Sequence, residues 1–96
     1  MSQSDNKVTP ELIESKITME KYLYPADHGP SEPKTTTICV LTLQNGFSVV
    51  GKSACADPAN FNQELGAKIA KEDAVRQIWA LEGYLLKEKL YQQQAA

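Results

Sequence analysis

From Thr36 to Leu43, and again from Phe47 to Val50, β-branched and apolar residues run without a proline, which is the composition of paired strands. Asn45-Gly46 lies between them. A two-residue type I′ turn needs positive φ at both central positions, and Asn-Gly tolerates this best. The spacing therefore predicts a β-hairpin. With Gln44 opposite Phe47, Thr42 falls opposite Val49, Val40 opposite Gly51 and Cys39 opposite Lys52. One face then carries Ile38, Val40, Thr42, Phe47 and Val49, and the other carries Cys39, Leu41, Leu43, Val50 and Ala54. Both faces are apolar, whereas a hairpin on a monomer surface normally alternates core and solvent. Two covers are needed, the second being the N-terminal segment or another subunit.

Downstream, Asp57-Pro58 supplies a capping residue and a proline at the first helical position. From there to about Gln92, Ala, Leu, Lys, Glu and Gln dominate, with Gly66 and Gly83 as weak points. At helical spacing, Phe61, Leu65, Val75, Trp79, Leu86 and Leu90 form one stripe, interrupted by Lys68 and Glu72. Ala67, Ala74, Ile78, Leu81 and Leu85 form a second. An unbroken helix would be about 50 Å long, more than a three-stranded sheet can cover. It either bends near Trp79 to Gly83 or projects onto a second subunit. Residues 93–96 read as a disordered tail.

Upstream, Met1 to Val8 is polar and expected to be disordered. Thr9-Pro10-Glu11 opens a short helix through Ser15 or Lys16, with Leu12 and Ile13 as its buried pair. Ile17 to Tyr24 fits an alternating strand through Ile17, Met19 and Leu23, and partly a helical stripe through Ile13, Ile17 and Tyr24. The strand reading gives the hairpin a third member and is preferred. Pro25 to Lys34, with its prolines and Gly29, is a loop. The fold class is α+β: a short N-terminal helix, a three-stranded antiparallel meander, and a long C-terminal helix, or a bent pair, packed on the sheet. Residues 9–92 form a single domain.

At 96 residues the chain has one modest core. A net charge of −2 with intermixed signs argues against a nucleic-acid surface, which shows a basic stripe. Arg76 is the sole arginine, so one subunit cannot build several arginine–phosphate forks. No apolar run reaches the length of a membrane span, and MSQSDNK is no signal peptide. Cys39 and Cys55 fall roughly 10 Å apart along the ladder, too far for a disulfide. Free thiols point to the reducing cytoplasm of a cell, and a soluble protein is expected there.

Candidate chemistry is sparse. His28 sits in the proline-rich loop, and no CxxC or HxxxH spacing exists for a metal. Nothing in the order of residues places His28 beside either thiol as a nucleophile pair. GFSVVGKS, Gly46 to Ser53, matches a phosphate-binding loop letter for letter. Such a loop follows a strand and opens into a helix, whereas here FSVV is itself a strand. Lys52, Ser53 and Asp57 cluster where the hairpin meets the helix, where free amides can hold an anion; Asp57 is more simply a cap. Trp79, Glu82 and Tyr84 form a further cluster, read first as packing with a polar tip. The candidate binding residues are Lys52, Ser53, Arg76 and Tyr84. No catalytic residue, metal or cofactor is expected.

The run from Leu41 to Leu90, through Asn45-Gly46-Phe47, Gly51, Ser53, Asp57-Pro58, Phe61, Gly66, Ala70, Ala74 and Ile78-Trp79 into Leu81-Glu82-Gly83-Tyr84-Leu85-Leu86, strongly resembles a family of small tailed-bacteriophage proteins. That family is typified by the gene-49 product of coliphage N-four and the gene-66 product of Shigella phage Sf-six. The resemblance covers roughly Ile38 to Leu90 and implies a phage or prophage origin without implying an activity. Members often carry proline where this chain has Ala80, which favours a bend there; without it a straighter helix stays open. The Pro25 to Lys34 loop is longer than in most relatives.

Three functions from different classes follow. The first is a non-enzymatic phage accessory protein that binds a host protein in host takeover or anti-defence, supported by the surplus apolar faces. The second is a homo-oligomeric small-molecule binder, such as a sponge for nucleotide immune signals, with pockets between subunits lined by Lys52, Ser53, Arg76 or Tyr84. The third, an enzyme, has no residue set behind it.

Overall fold

The computed structural model describes residues 7–29, 31 and 35–95. Helix α1 (Pro10–Lys16) leads into β1 (Ile17–Leu23); β2 (Thr36–Leu43) and β3 (Ser48–Ala54) follow, then α2 (Gln63–Ala95). The strands form one antiparallel sheet in the order β1-β2-β3. The architecture is the α+β arrangement expected, with Ile17 to Leu23 as the third strand. The loop carries one 3-10 turn, Pro25–His28; Pro30 and residues 32–34 lie outside the described residues, as do residues 1–6.

Each short element is held by a local device. Thr9 caps α1, its Oγ1 accepting from the Leu12 amide at 3.1 Å. The helix then docks through Ile13, which is fully buried, while Leu12 stays half-exposed. A bulge at Thr18 shifts the β1 register between Ile17 and Met19, and the Thr18 hydroxyl donates to the Thr42 carbonyl at 3.1 Å. The hairpin tip is tied to the α1–β1 junction, since Gln44 donates through its amide to Lys16 and through Nε2 to Ser15.

The hairpin exists, but its turn is one residue longer than Asn-Gly suggested. Gly46 N donates to Leu43 O, and Leu43 N to Phe47 O. Gly46 has φ +89°, and no other residue type has positive φ among the described residues. This is a three-residue loop with glycine at the left-handed position, which makes a bulge. The consequence is a register shifted by one: Val40 faces Val50, Leu41 faces Val49 and Cys39 faces Gly51. Because side chains alternate, the slip exchanges the two faces of β3. Val49 joins Cys39, Leu41 and Leu43 in the core, whereas Val50 and Ala54 turn outward with Ile38 and Val40.

The second helix also departs from expectation at its start. Asp57-Pro58 opens only a 3-10 turn, Pro58–Asn60, and the Asp57 carboxylate accepts from the Ala59 amide. Asn62 caps α2, its Oδ1 accepting from Glu64 and Leu65. The helix then runs unbroken for 33 residues, through Gly83 and on through Gln93, Gln94 and Ala95, the stretch read from sequence as a tail. Neither apolar stripe is buried along its whole length, although Ala74 and Ile78 of the second stripe are buried. The buried row is Gly66, Ala70, Ala74 and Ile78, one position every four residues. Leu65, Trp79, Leu81 and Leu85 are exposed; Ala67, Val75, Leu86 and Leu90 are half-buried.

Three small residues in that row let α2 lie close on the strands. The core is Ile13, Cys39, Leu41, Leu43, Val49, Ala70, Ala74 and Ile78, with Val8, Ile17, Tyr22 and Val75 packed against it. Val8 thus covers the helix-side face, and the other face of the sheet has no cover among the described residues. The molecule measures 58 × 23 × 22 Å. A 33-residue helix is about 50 Å long and a strand of the sheet about 25 Å, so α2 projects well past it. No described helix is long and apolar enough to cross a membrane.

Candidate functional surfaces

The four candidate residues do not share a pocket. Lys52 and Ser53 are neighbours on β3 and therefore point to opposite faces. Ser53 turns under α2, its hydroxyl donating to the Gly66 carbonyl at 2.8 Å. Lys52 projects from the open face, while its backbone amide donates to Asp73 Oδ2 at 3.0 Å. Arg76 pairs with the other oxygen, Nη2 to Oδ1 at 3.1 Å. Asp73 thereby joins Lys52 and Arg76, whereas Tyr84 stands about 12 Å farther along the helix, 70% exposed.

Asp73 and its neighbour Gln77 were not among the candidates, although they lie four residues apart beside the small-residue row. Their role is at the edge of the sheet. Asp73 takes the outward Lys52 amide, and Gln77 Nε2 donates to the outward Val50 carbonyl at 2.6 Å. An unpaired edge strand is a template for pairing with other chains. Here α2 closes it with side chains. The opposite edge, β1, carries Glu20-Lys21 and the Thr18 bulge, both of which oppose strand addition.

The hydrogen bond from the Lys52 amide, then the Arg76 guanidinium, hold the Asp73 carboxyl below its usual range. Glu20 is also lowered, first by the hydrogen bond from the Tyr22 hydroxyl and then by Lys71, whose Nζ lies 3.2 Å from Glu20 Oε1 and 4.0 Å from Glu14 Oε1. A carboxylate with a depressed folded-state pKa contributes stability that is complete above the unfolded pKa and lost as pH falls through the folded one. From the ordinary values of 3.8 and 4.5, the urea midpoint is expected to stay level from neutral pH to about pH 5 and to fall below about pH 4. Asp73→Asn should lower the neutral-pH midpoint and flatten that fall. An unchanged acid limb in this variant would remove Asp73 from the account.

Tyr22 has its pKa raised, first by burial and then by its bond to Glu20. Cys39, directly across the ladder, is buried, and burial pushes its thiol up. The thiolate is the reactive form, so this arrangement keeps Cys39 protonated and inert. Cys55 is half-buried with its thiol on the Asp57 carbonyl, and both cysteines are free. His28 is exposed at the end of its 3-10 turn. Among the described residues no three His, Cys, Asp or Glu side chains gather as a metal site. The phosphate-loop match dissolves into the Gly46 turn and β3 itself.

The clefts are shallow. One of about 230 Å³ lies at the start of α2 between Cys55, Phe61, Leu65 and Ile69. The leading amides of that helix are already taken by Asn62. The hydroxyl of Thr37, fully buried, has no hydrogen-bond partner among the described residues; it sits against Gly66, as the Phe61 ring also does. A second cleft of about 260 Å³ separates Val8 and Leu12 from Leu85 and Leu86.

Beside these clefts lie two apolar surfaces. On the open sheet face, Met19, Leu23 and Val50 are 60, 38 and 52% exposed, around the half-buried Ile38 and Val40. On the projecting half of α2, Leu81, Tyr84, Leu85 and Tyr91 are exposed. Both are contiguous by register or by helical spacing.

The chain belongs to the family described as Phage protein (N4 Gp49/phage Sf6 gene 66), whose model matches residues 8–90. That span takes in α1, the whole sheet and α2 as far as Leu90. No curated protein and no solved structure matches it.

Proposed function

We propose that this member of a phage protein family is a non-enzymatic accessory protein, acting in the cytoplasm of the bacterial host by binding a host protein in host takeover or anti-defence. The observation that carries the reading is the pair of uncovered apolar surfaces on so small a chain. Contiguous apolar patches of this kind mark interaction sites. The closed sheet edges direct binding to the faces. Self-association is part of the same reading: the projecting α2 end, through Leu81, Leu85 and Tyr91, is the surface offered to a second copy. A nucleotide held between subunits has less support, because Ser53 is engaged by Gly66 and Arg76 by Asp73.

The test is recovery of host proteins on the tagged chain, from infected and uninfected cells, beside two surface variants, Val50→Lys and Leu85→Lys. Both sites are exposed on the single chain, so at concentrations where the parent is monomeric each variant is expected to unfold within about 0.5 kcal/mol of it. The reading expects a saturable host partner that is lost from at least one variant, and a dimer or larger assembly in light scattering that Leu85→Lys dissociates. Clean recoveries from both kinds of cell would overturn the host-binding reading. A monomer at all concentrations would overturn the oligomer.

A further inference from the structure

We infer that the open face of the sheet is a docking site for an amphipathic helix of a partner protein whose apolar stripe is flanked by carboxylates; the inference rests on the host-binding reading above. The register sets the pattern. Lys21, Val40 and Val50 form one cross-strand row, and Leu23, Ile38 and Lys52 form the next. An apolar track therefore runs between two lysines on opposite edges, both exposed. No described strand residue that projects on this face is acidic: Glu20 points to the α2 side and Asp73 is held at the β3 edge by the Lys52 amide and Arg76.

The dimensions suit a helix. Two strand spacings and one two-residue step separate the lysine Cα atoms by about 12 Å, which brackets a helix about 10 Å across. The strands are about 24 Å long, enough for about four helical turns. The same sheet already accepts α2 on its other side. A second copy fits this face poorly: face to face, it would gather four lysines and no carboxylate in one interface, and like charges so placed oppose association.

The probes are three labelled helical peptides with one common Leu/Ile stripe and flanks of Glu, Gln or Lys, titrated into the full chain by fluorescence anisotropy. Expected is a dissociation constant lowest for Glu flanks and at least about tenfold higher for Lys flanks, a preference weakened by added salt. The double variant Lys21→Glu/Lys52→Glu should reverse the order, and Val50→Lys should weaken all three. No binding of the Glu peptide at about 100 µM, or an order that the double variant leaves unchanged, would overturn the inference. So would a dimer in light scattering that Val50→Lys dissociates, since a second copy would then occupy the face. If the peptides fail while host-protein recovery persists and depends on Leu85, the docking inference falls and the host-binding reading stands. If recovery fails as well, both fall.

Discussion

Replacing Gly51 with alanine is expected to destabilise the fold by about 3 kcal/mol or more, a large share of the 5–15 kcal/mol typical of a small domain. A Cβ at this position would overlap the Ala70 carbonyl oxygen and the Ala74 nitrogen. These are backbone atoms of α2 and cannot turn aside as a side chain would. The helix would have to lift from the strand, opening the buried row at Ala70, Ala74 and Ile78. Overpacking usually costs about 1–3 kcal/mol, and here the whole helix must give. Gly51→Val should leave much of the chain unfolded. Gly83→Ala is the control, because nothing lies within 4 Å of a Cβ there and alanine favours a helix interior by about 0.5–1 kcal/mol. Urea midpoints by circular dichroism would separate the two; a Gly51→Ala midpoint near the parent would mean that α2 rides higher than the contact implies.

The hairpin and the buried row of α2 show how far the fold was legible. Asn45-Gly46 announced a hairpin, and Thr9-Pro10 announced α1. Neither could fix the register, since type I′ and bulged three-residue loops draw on the same glycine preference and differ by one position. That position decided which face of β3 is core. On α2, the search for large apolar side chains found stripes that are partly exposed. The buried row begins Gly66-Ala70-Ala74, which an apolar count scores low, because close backbone approach needs an absence of side chain. Gly66 read as a weak point and is in fact a contact. Asp57-Pro58 read as the cap, yet Asn62 starts the long helix.

The surfaces were legible in kind and not in place. Two apolar faces on the hairpin implied a second cover, and the described residues supply one for the α2 side alone. Lys52 was read beside a site for an anion and Arg76 as the lining of a nucleotide pocket, and the carboxylate that the Lys52 amide and the Arg76 guanidinium meet is the protein's own Asp73. Asp73 and Gln77 carried no signal of their own, since an acid and an amide four residues apart are ordinary on a solvated helix. Their function depends on which strand lies beneath them. Only the tertiary arrangement supplies that.

Ile78→Ala is expected to cost about 2–5 kcal/mol, the range for removing a large buried aliphatic side chain. Ile78 is fully buried and is the one large side chain in the row that α2 lays on the sheet. Its loss would leave a cavity among groups whose small neighbours, Ala70 and Ala74, cannot expand to fill it. At concentrations low enough to keep the subunit monomeric, Leu85→Ala and Tyr84→Ala, at 59 and 70% exposure, should stay within about 0.5 kcal/mol of the parent, although Leu85 has the same kind of side chain. The contrast separates the part of α2 that holds the fold from the part that projects beyond it. If Leu85→Ala were as damaging as Ile78→Ala and its cost grew with protein concentration, the projecting half would be buried in an assembly, and stability would be inseparable from subunit concentration. Equal and small costs at both positions would mean instead that α2 is not docked through its Gly66 to Ile78 row.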